Sequence, residues 1–155
     1  MRHAEAADRD AKRYPDDSLR PLVRKGARTQ RSVSKRLRKH KLIPDRVFSS
    51  PWKRAWQTAR ILVEETGLPK KARVTCPALA GPPDLAALSA AIGLQPPDGT
   101  IALVGHDPWI GELAALLLTG QGEGLRSDFA KSGVMGIDVD GFAAGAGTLR
   151  FFLRP

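Results

Sequence analysis

Apolar side chains along this sequence recur at two different periods, and each period marks a different kind of element. From Lys25 to Lys41 there is no proline and no glycine after Gly26. Ala27, Val33 and Leu37, with Gln30 and Ser34 between them, form a thin stripe at helical spacing. Most other positions there are Lys or Arg, so the segment predicts a basic amphipathic helix. Ile43 to Phe48 reads as a short buried strand running into Ser49-Ser50-Pro51. Pro51 then starts a second helix, Trp52 to Thr66, whose face is traced by Trp52, Ala55, Trp56, Ala59, Leu62 and Val63 and whose end is set by Gly67 and Pro69.

Arg73 to Cys76 predicts a short strand, Gly81-Pro82-Pro83 a stiff turn, and Asp84 to Ile92 a third helix. Thr100 to Val104 is a continuous β-branched and apolar run, stopped by Gly105-His106-Asp107-Pro108, after which Trp109 to Thr119 returns to helical spacing. Val134 to Val139 and Thr148 to Leu153 alternate about a glycine-rich turn and predict a closing hairpin. The opening, Met1 to Pro21, is polar and reads as a loop after whatever structure holds Arg2 and His3.

Strands alternating with helices predict an α/β fold, a three-layer α/β/α arrangement with a mostly parallel central sheet and an antiparallel edge strand. No repeat or linker divides residues 1–155, so a single domain is expected. In such sheets ligands gather beyond the carboxyl ends of the strands, where Ser49 to Arg54 and Gly105 to Pro108 both fall.

Composition narrows the class. A chain of 155 residues with 42% hydrophobic and 26% charged positions supports one globular core. No apolar run approaches the roughly 20 residues of a membrane span, and no signal-like segment follows the basic start, so a cytoplasmic location is expected. The single cysteine, Cys76, offers neither an internal disulfide nor a cysteine-based metal site. The net charge of +9 is uneven: through residue 60 there are 18 Lys and Arg against 6 Asp and Glu, and beyond it 7 against 10. That asymmetry points to an anionic partner.

Of the three histidines, His40 lies between Lys39 and Lys41 in the basic helix and reads as a solvated residue. His3 directly follows Arg2, and His106 occupies a turn right after an apolar strand. Arg54 falls in the first turn of the second helix, where free backbone donors and the positive dipole end favour a phosphate dianion. A plain surface role for Arg54 is equally compatible with that position taken alone.

Arg2-His3-Ala4-Glu5-Ala6, then Arg20-Pro21-Leu22 with Gly26, then Ser49-Ser50-Pro51 with Arg54-Ala55 and Gln57-Thr58, then Val104-Gly105-His106, resemble the motifs of the histidine phosphatase superfamily, which includes the phosphoglycerate mutases. Order, spacing and small size are most similar to the SixA-type phosphohistidine phosphatases. The resemblance implies that His3 is the nucleophile and carries the phosphoryl group as a covalent phosphohistidine until water removes it. It implies that Arg2, Arg54 and His106 bind the phosphoryl oxygens, with Arg20 as a rim contact to phosphate or partner. It calls for no metal and no other cofactor.

Family members carry a strand of several residues before the Arg-His pair, whereas Met1 alone precedes it here, so a truncated N-terminal strand is expected. Phosphomonoesterases and mutases of the superfamily supply a general acid after the third strand, but Cys76 to Gly81 contains no acidic residue. An alkoxide leaves poorly without a proton and a phosphorylated imidazole leaves readily, so the expected substrate is phosphohistidine on a protein, with a small phosphorylated molecule as the alternative. Glu5 and Asp107 are the nearby substitutes for an acid.

Other readings are weaker. Ser32 and Lys35, with Lys131-Ser132-Gly133, match the penicillin-recognising motifs, but the chain is too short for that fold. Gly120, Gly122 and Gly124 lack the strand and helix of a dinucleotide site and read as a loop. The basic helix could make the protein a binding module for nucleic acid; the absence of interleaved aromatics counts against single-stranded nucleic acid, and the readings set above it are a solvated face or a dock for an acidic phosphorylated protein. A monomer or weak dimer is expected.

Overall fold

The computed structural model describes residues 1–93, 95–96, 98–125 and 129–155. Three parallel strands, β1 (Arg46–Ser49), β2 (Arg73–Thr75) and β3 (Ile101–Val104), form a sheet in the order β2-β1-β3. The helices are α1 (Arg24–Lys39), α2 (Lys53–Thr66), α3 (Leu85–Ile92) and α4 (Trp109–Thr119), and β4 (Val134–Val139) pairs antiparallel with β5 (Gly147–Leu153).

Side chains alternate across β1, so consecutive residues serve opposite faces. Val47 belongs to a core with Val33 and Leu37 of α1 and Ala55 and Leu62 of α2, whereas Phe48 joins Leu88 of α3 and Leu113 and Leu117 of α4. These two buried clusters give the three-layer α/β/α architecture that the alternation of elements predicts. Where α1 crosses the entering chain there is no room for a side chain, because a Cβ on Gly26 would lie 2.1 Å from the Glu5 carbonyl oxygen. On its outer side the basic residues are exposed, and the ion pairs there are few: Lys25 with Glu5, and Arg31 and Lys35 with Glu65.

Element boundaries differ from the sequence reading in one informative place. The first strand starts at Arg46 rather than Ile43, since Leu42 and Ile43 remain 39% and 37% exposed and Pro44 has no donor. Asp45 instead clasps Thr100: its N–H donates to the Thr100 carbonyl at 2.7 Å and its carboxylate accepts from the Thr100 N–H at 2.8 Å.

Among the described residues, the hairpin is not hydrogen-bonded to the parallel sheet directly. Met1 to His3 lie between the two. The His3 N–H donates to the Gly105 carbonyl at 3.0 Å, the Gly105 N–H to the Met1 carbonyl at 3.2 Å, and on the other side the Arg2 N–H donates to the Gly133 carbonyl at 3.1 Å. Beside that junction lies an apolar cleft of about 400 Å³ between β3 and β4, lined among others by Met1, Ile101, Leu103, Met135 and Ile137. Among the described residues, no helix is long and apolar enough to cross a membrane.

Candidate active site

Both strand-to-helix turns after β1 and β3 end at the same place as the Met1–His3 segment. Ser50 follows β1 and its N–H donates to the Val104 carbonyl at 3.0 Å, locking the first turn to the end of β3. Pro51 and Trp52 lead into α2, which places Arg54 in the first turn. Two further polar residues of α2 tie the entering chain to this helix. Thr58 Oγ1 accepts from the Ala4 N–H at 3.0 Å while donating to the Arg54 carbonyl at 2.7 Å, and Gln57 Oε1 accepts from the Leu22 N–H at 2.7 Å.

His3 and His106 are buried with ring centroids 5.1 Å apart. Nδ1 of His3 faces the Ala4 carbonyl at 2.6 Å, and since a carbonyl only accepts, Nδ1 carries the proton. Nε2 of the same ring accepts from Arg54 Nε–H at 3.2 Å. A second proton on this ring would oppose the guanidinium, so the geometry holds His3 neutral with its free lone pair on Nε2. Its pKa is pushed down to about 4, mainly by burial and further by Arg54, Arg2 and Lys131. That of His106 falls to about 3, again chiefly by burial, with His3 and Arg54 adding to it. Nε2 of His106 lies 2.8 Å from Ser50 Oγ.

Arg54 is buried and uses three of its five N–H groups: besides His3 it donates to the Asp17 carbonyl at 2.8 Å and to the Asp17 carboxylate at 3.0 Å. Arg20 reaches the same carboxylate at 2.7 Å and the Ala7 carbonyl at 2.6 Å, so it joins the site through Asp17 rather than by touching His3. The Arg20 and Arg54 guanidiniums hold the Asp17 carboxyl below its usual range. Arg2 donates to the Phe129 carbonyl at 2.8 Å and lies 3.6 Å from Asp107.

Among the described residues, four buried side-chain polar atoms have no hydrogen-bond partner: Arg2 Nε, His106 Nδ1, Ser132 Oγ and Gln30 Oε1. Three of these belong to the site or adjoin it, Ser132 through its N–H on the His3 carbonyl at 3.2 Å. Buried polar groups are ordinarily paired, so this concentration marks a place built for a polar ligand. Among the described residues, no group of three or more His, Cys, Asp or Glu is placed to hold a metal ion.

The structure therefore gathers His3, His106, Arg54 and Arg2 and adds Arg20 at one remove. The sequence reading missed Asp17, Ser50, Ser132 and Lys131. Glu5 turns its carboxylate toward Lys25 at 3.9 Å, and Asp107 toward Arg2. The acid-free stretch after β2 packs against the turn that carries His106, since a Cβ on Gly105 would lie 3.3 Å from the Leu79 carbonyl.

Residues 1–75 match the model of the histidine phosphatase superfamily, branch 1. The phosphohistidine phosphatase SixA of Escherichia coli is 30% identical over 157 residues, covering 100% of this chain and 91% of that protein. An uncharacterized protein of Picosynechococcus sp. is 35% identical over 139 residues, covering 88% of this chain and 81% of its own length. A solved structure of the protein histidine phosphatase SixA complexed with tungstate superposes with a TM-score of 0.80 at 28% identity, covering 99% of this chain and 93% of that one. With the motifs in order, the phosphoglycerate mutase-like fold around them and a full-length relative at this identity, the chain belongs to branch 1 of the histidine phosphatase superfamily, with similarity to the SixA phosphohistidine phosphatases.

Proposed function

We propose that the protein is a phosphatase that hydrolyses phosphohistidine on a protein through a covalent phosphoenzyme on His3. The observation that carries this reading is the state of His3: Nδ1–H on the Ala4 carbonyl, Nε2 unprotonated, and Arg54 Nε–H beside it. A nucleophile needs that lone pair at neutral pH, and a histidine pKa of about 4 supplies it.

In the first step the Nε2 lone pair of His3 attacks phosphorus in line. The bond from phosphorus to the substrate nitrogen breaks, and its electron pair stays on that imidazole. The distal nitrogen of the leaving ring is protonated by solvent, so the ring departs neutral, without an acid from the protein. Water then attacks the phosphohistidine, the pair of the P–N bond returns to Nε2, and the proton leaves with phosphate or solvent. Arg2, Arg54 and His106 act on the equatorial oxygens, where negative charge gathers. Arg20, bound to Asp17, steadies Arg54 and faces the rim. That the similar SixA structure is complexed with tungstate, an oxyanion, supports this reading. The basic face of α1 would receive an acidic region of the phosphoprotein.

The test is turnover of a histidine-phosphorylated protein against phosphate monoesters at equal concentration, with trapping of the phosphoenzyme by acid-free quenching. Preference for the phosphoprotein and loss of the trapped species in His3→Ala are expected. Full activity of His3→Ala would remove the mechanism, and a preference for monoesters would reverse the substrate choice.

A further inference from the structure

Two of the three tryptophans frame the mouth of the site. Trp52 is the N-cap of α2, two residues before Arg54, and Trp109 opens α4, three residues after His106. The Trp52 ring lies 4.5 Å from the Arg54 guanidinium and 4.5 Å from the His106 ring. Trp109 stands edge-on to both rings, 6.2 Å from Trp52 and 6.3 Å from His106. Both indoles are only half-buried, so each keeps part of its surface open to solvent.

On the far side of His106 the surroundings are also apolar: Ala78, Leu79 and Pro83 line a small recess with His106 and Trp109, and the side chains of those three have no proton to give. Indole surfaces attract flat rings by offset or edge-on stacking and add little for a group without a π-face. The recess beside His106 thus offers an aromatic face and no carboxylate of its own, the Asp107 carboxylate being paired with Arg2 at 3.6 Å. That combination suits a leaving group that is itself a ring and that takes its proton from solvent.

We infer that Trp52 and Trp109 form a leaving-group subsite for a flat heteroaromatic ring, the imidazole of phosphohistidine, and select it over leaving groups that have no ring. This rests on the phosphohistidine reading and adds two specificity-determining residues to it. Neither tryptophan takes part in bond making; each acts by holding the departing ring.

The experiment compares phosphoimidazole with phosphoramidate, which share the P–N bond but differ in having a ring. In Trp52→Leu and Trp109→Leu the ratio of kcat/KM for phosphoimidazole to that for phosphoramidate falls by about 3- to 10-fold. Trp52→Phe and Trp109→Phe, which retain a π-face, recover most of the ratio. If Trp52→Leu does not fold, Trp109→Leu, whose ring is farther from His106, carries the same comparison. Equal losses on both substrates, as a purely structural support of His106 would give, overturn the subsite. Formation of phosphoenzyme on His3 from phosphoramidate is read separately: a flat ratio with that phosphoenzyme intact removes only the subsite, whereas its absence removes the reading beneath it.

Discussion

Nε of Arg54 donates to Nε2 of His3 across 3.2 Å, so the group proposed to bind the anion also keeps the proposed nucleophilic nitrogen free of a proton. When a phosphoryl group enters, that N–H can turn from the imidazole to an oxygen, and the lone pair is released at the moment it is needed. Lysine keeps the charge but has neither the fork nor a fixed N–H at this height. Arg54→Lys is therefore expected to lower kcat/KM by about 10- to 100-fold, the worth of one charged hydrogen bond. The inhibition constant for vanadate should rise with it, and an unchanged constant would contradict the role given to Arg54.

The two depressed histidines set a pH window. With folded pKa values of about 4 for His3 and about 3 for His106, both rings are neutral at pH 5 to 8, and the acid limb of kcat/KM should lie near pH 4 instead of near 6.5. The same shifts act on stability. The unfolded chain binds protons near pH 6.5 that the folded one refuses, so stability declines as pH falls from about 6.5 toward 3 and levels off below. For His3 alone the loss is roughly 3 kcal/mol. Urea unfolding between pH 3 and 7 reads it; a slope unchanged by His3→Ala would show that His3 is not the source.

Asp17 is the acidic counterweight of the seat. Its carboxylate holds Arg54 at 3.0 Å and Arg20 at 2.7 Å, which orients both guanidiniums but offsets part of their charge. Asp17→Asn keeps hydrogen-bonding capacity and removes the charge. Inorganic phosphate should then inhibit severalfold more tightly, while kcat falls because the two arginines are held less firmly. Weaker inhibition by phosphate would show that positioning outweighs charge at this residue.

These relationships were unequally legible in the sequence. The turns after β1 and β3 stand out because an apolar run, a break and a helical period follow one another, which places Arg54 and His106 at strand ends. Asp17 lies among Asp16, Ser18 and charged neighbours with no period, and its pairing with Arg54 spans 37 positions, so no local signal singles it out. Spacing puts Trp52 on the apolar face of α2; it is the cap residue, its ring against His106 and Arg54, because the helix begins one residue later. The separation of hairpin from parallel sheet was equally hidden, since an edge strand and a detached pair share one alternation.

That separation yields a test of how the sheet holds Arg2 and His3. The α-amino group of Met1 donates to the Leu103 carbonyl at 2.8 Å, and burial pushes its pKa from 8.0 down to about 5. An amine held below its unfolded value makes stability rise as pH climbs from about 5 to 8, and near pH 7 its burial costs on the order of 1 kcal/mol. Beside it lies the apolar cleft lined by β3 and β4, which among the described residues are not hydrogen-bonded to each other; the test is whether that cleft accepts an extended strand. A variant with about five β-branched and leucine residues placed before Met1 converts the amine to an amide and offers backbone partners to both edges. Its Tm should rise by about 5–10 °C, as burial of several apolar side chains outweighs their ordering. A Gly-Ser extension of equal length shares only the amide and should gain far less. If both extensions raise Tm equally, the cleft does not accept a strand, and the rigidity of Arg2 and His3 comes from the hydrogen bonds to Gly105 and Gly133 alone.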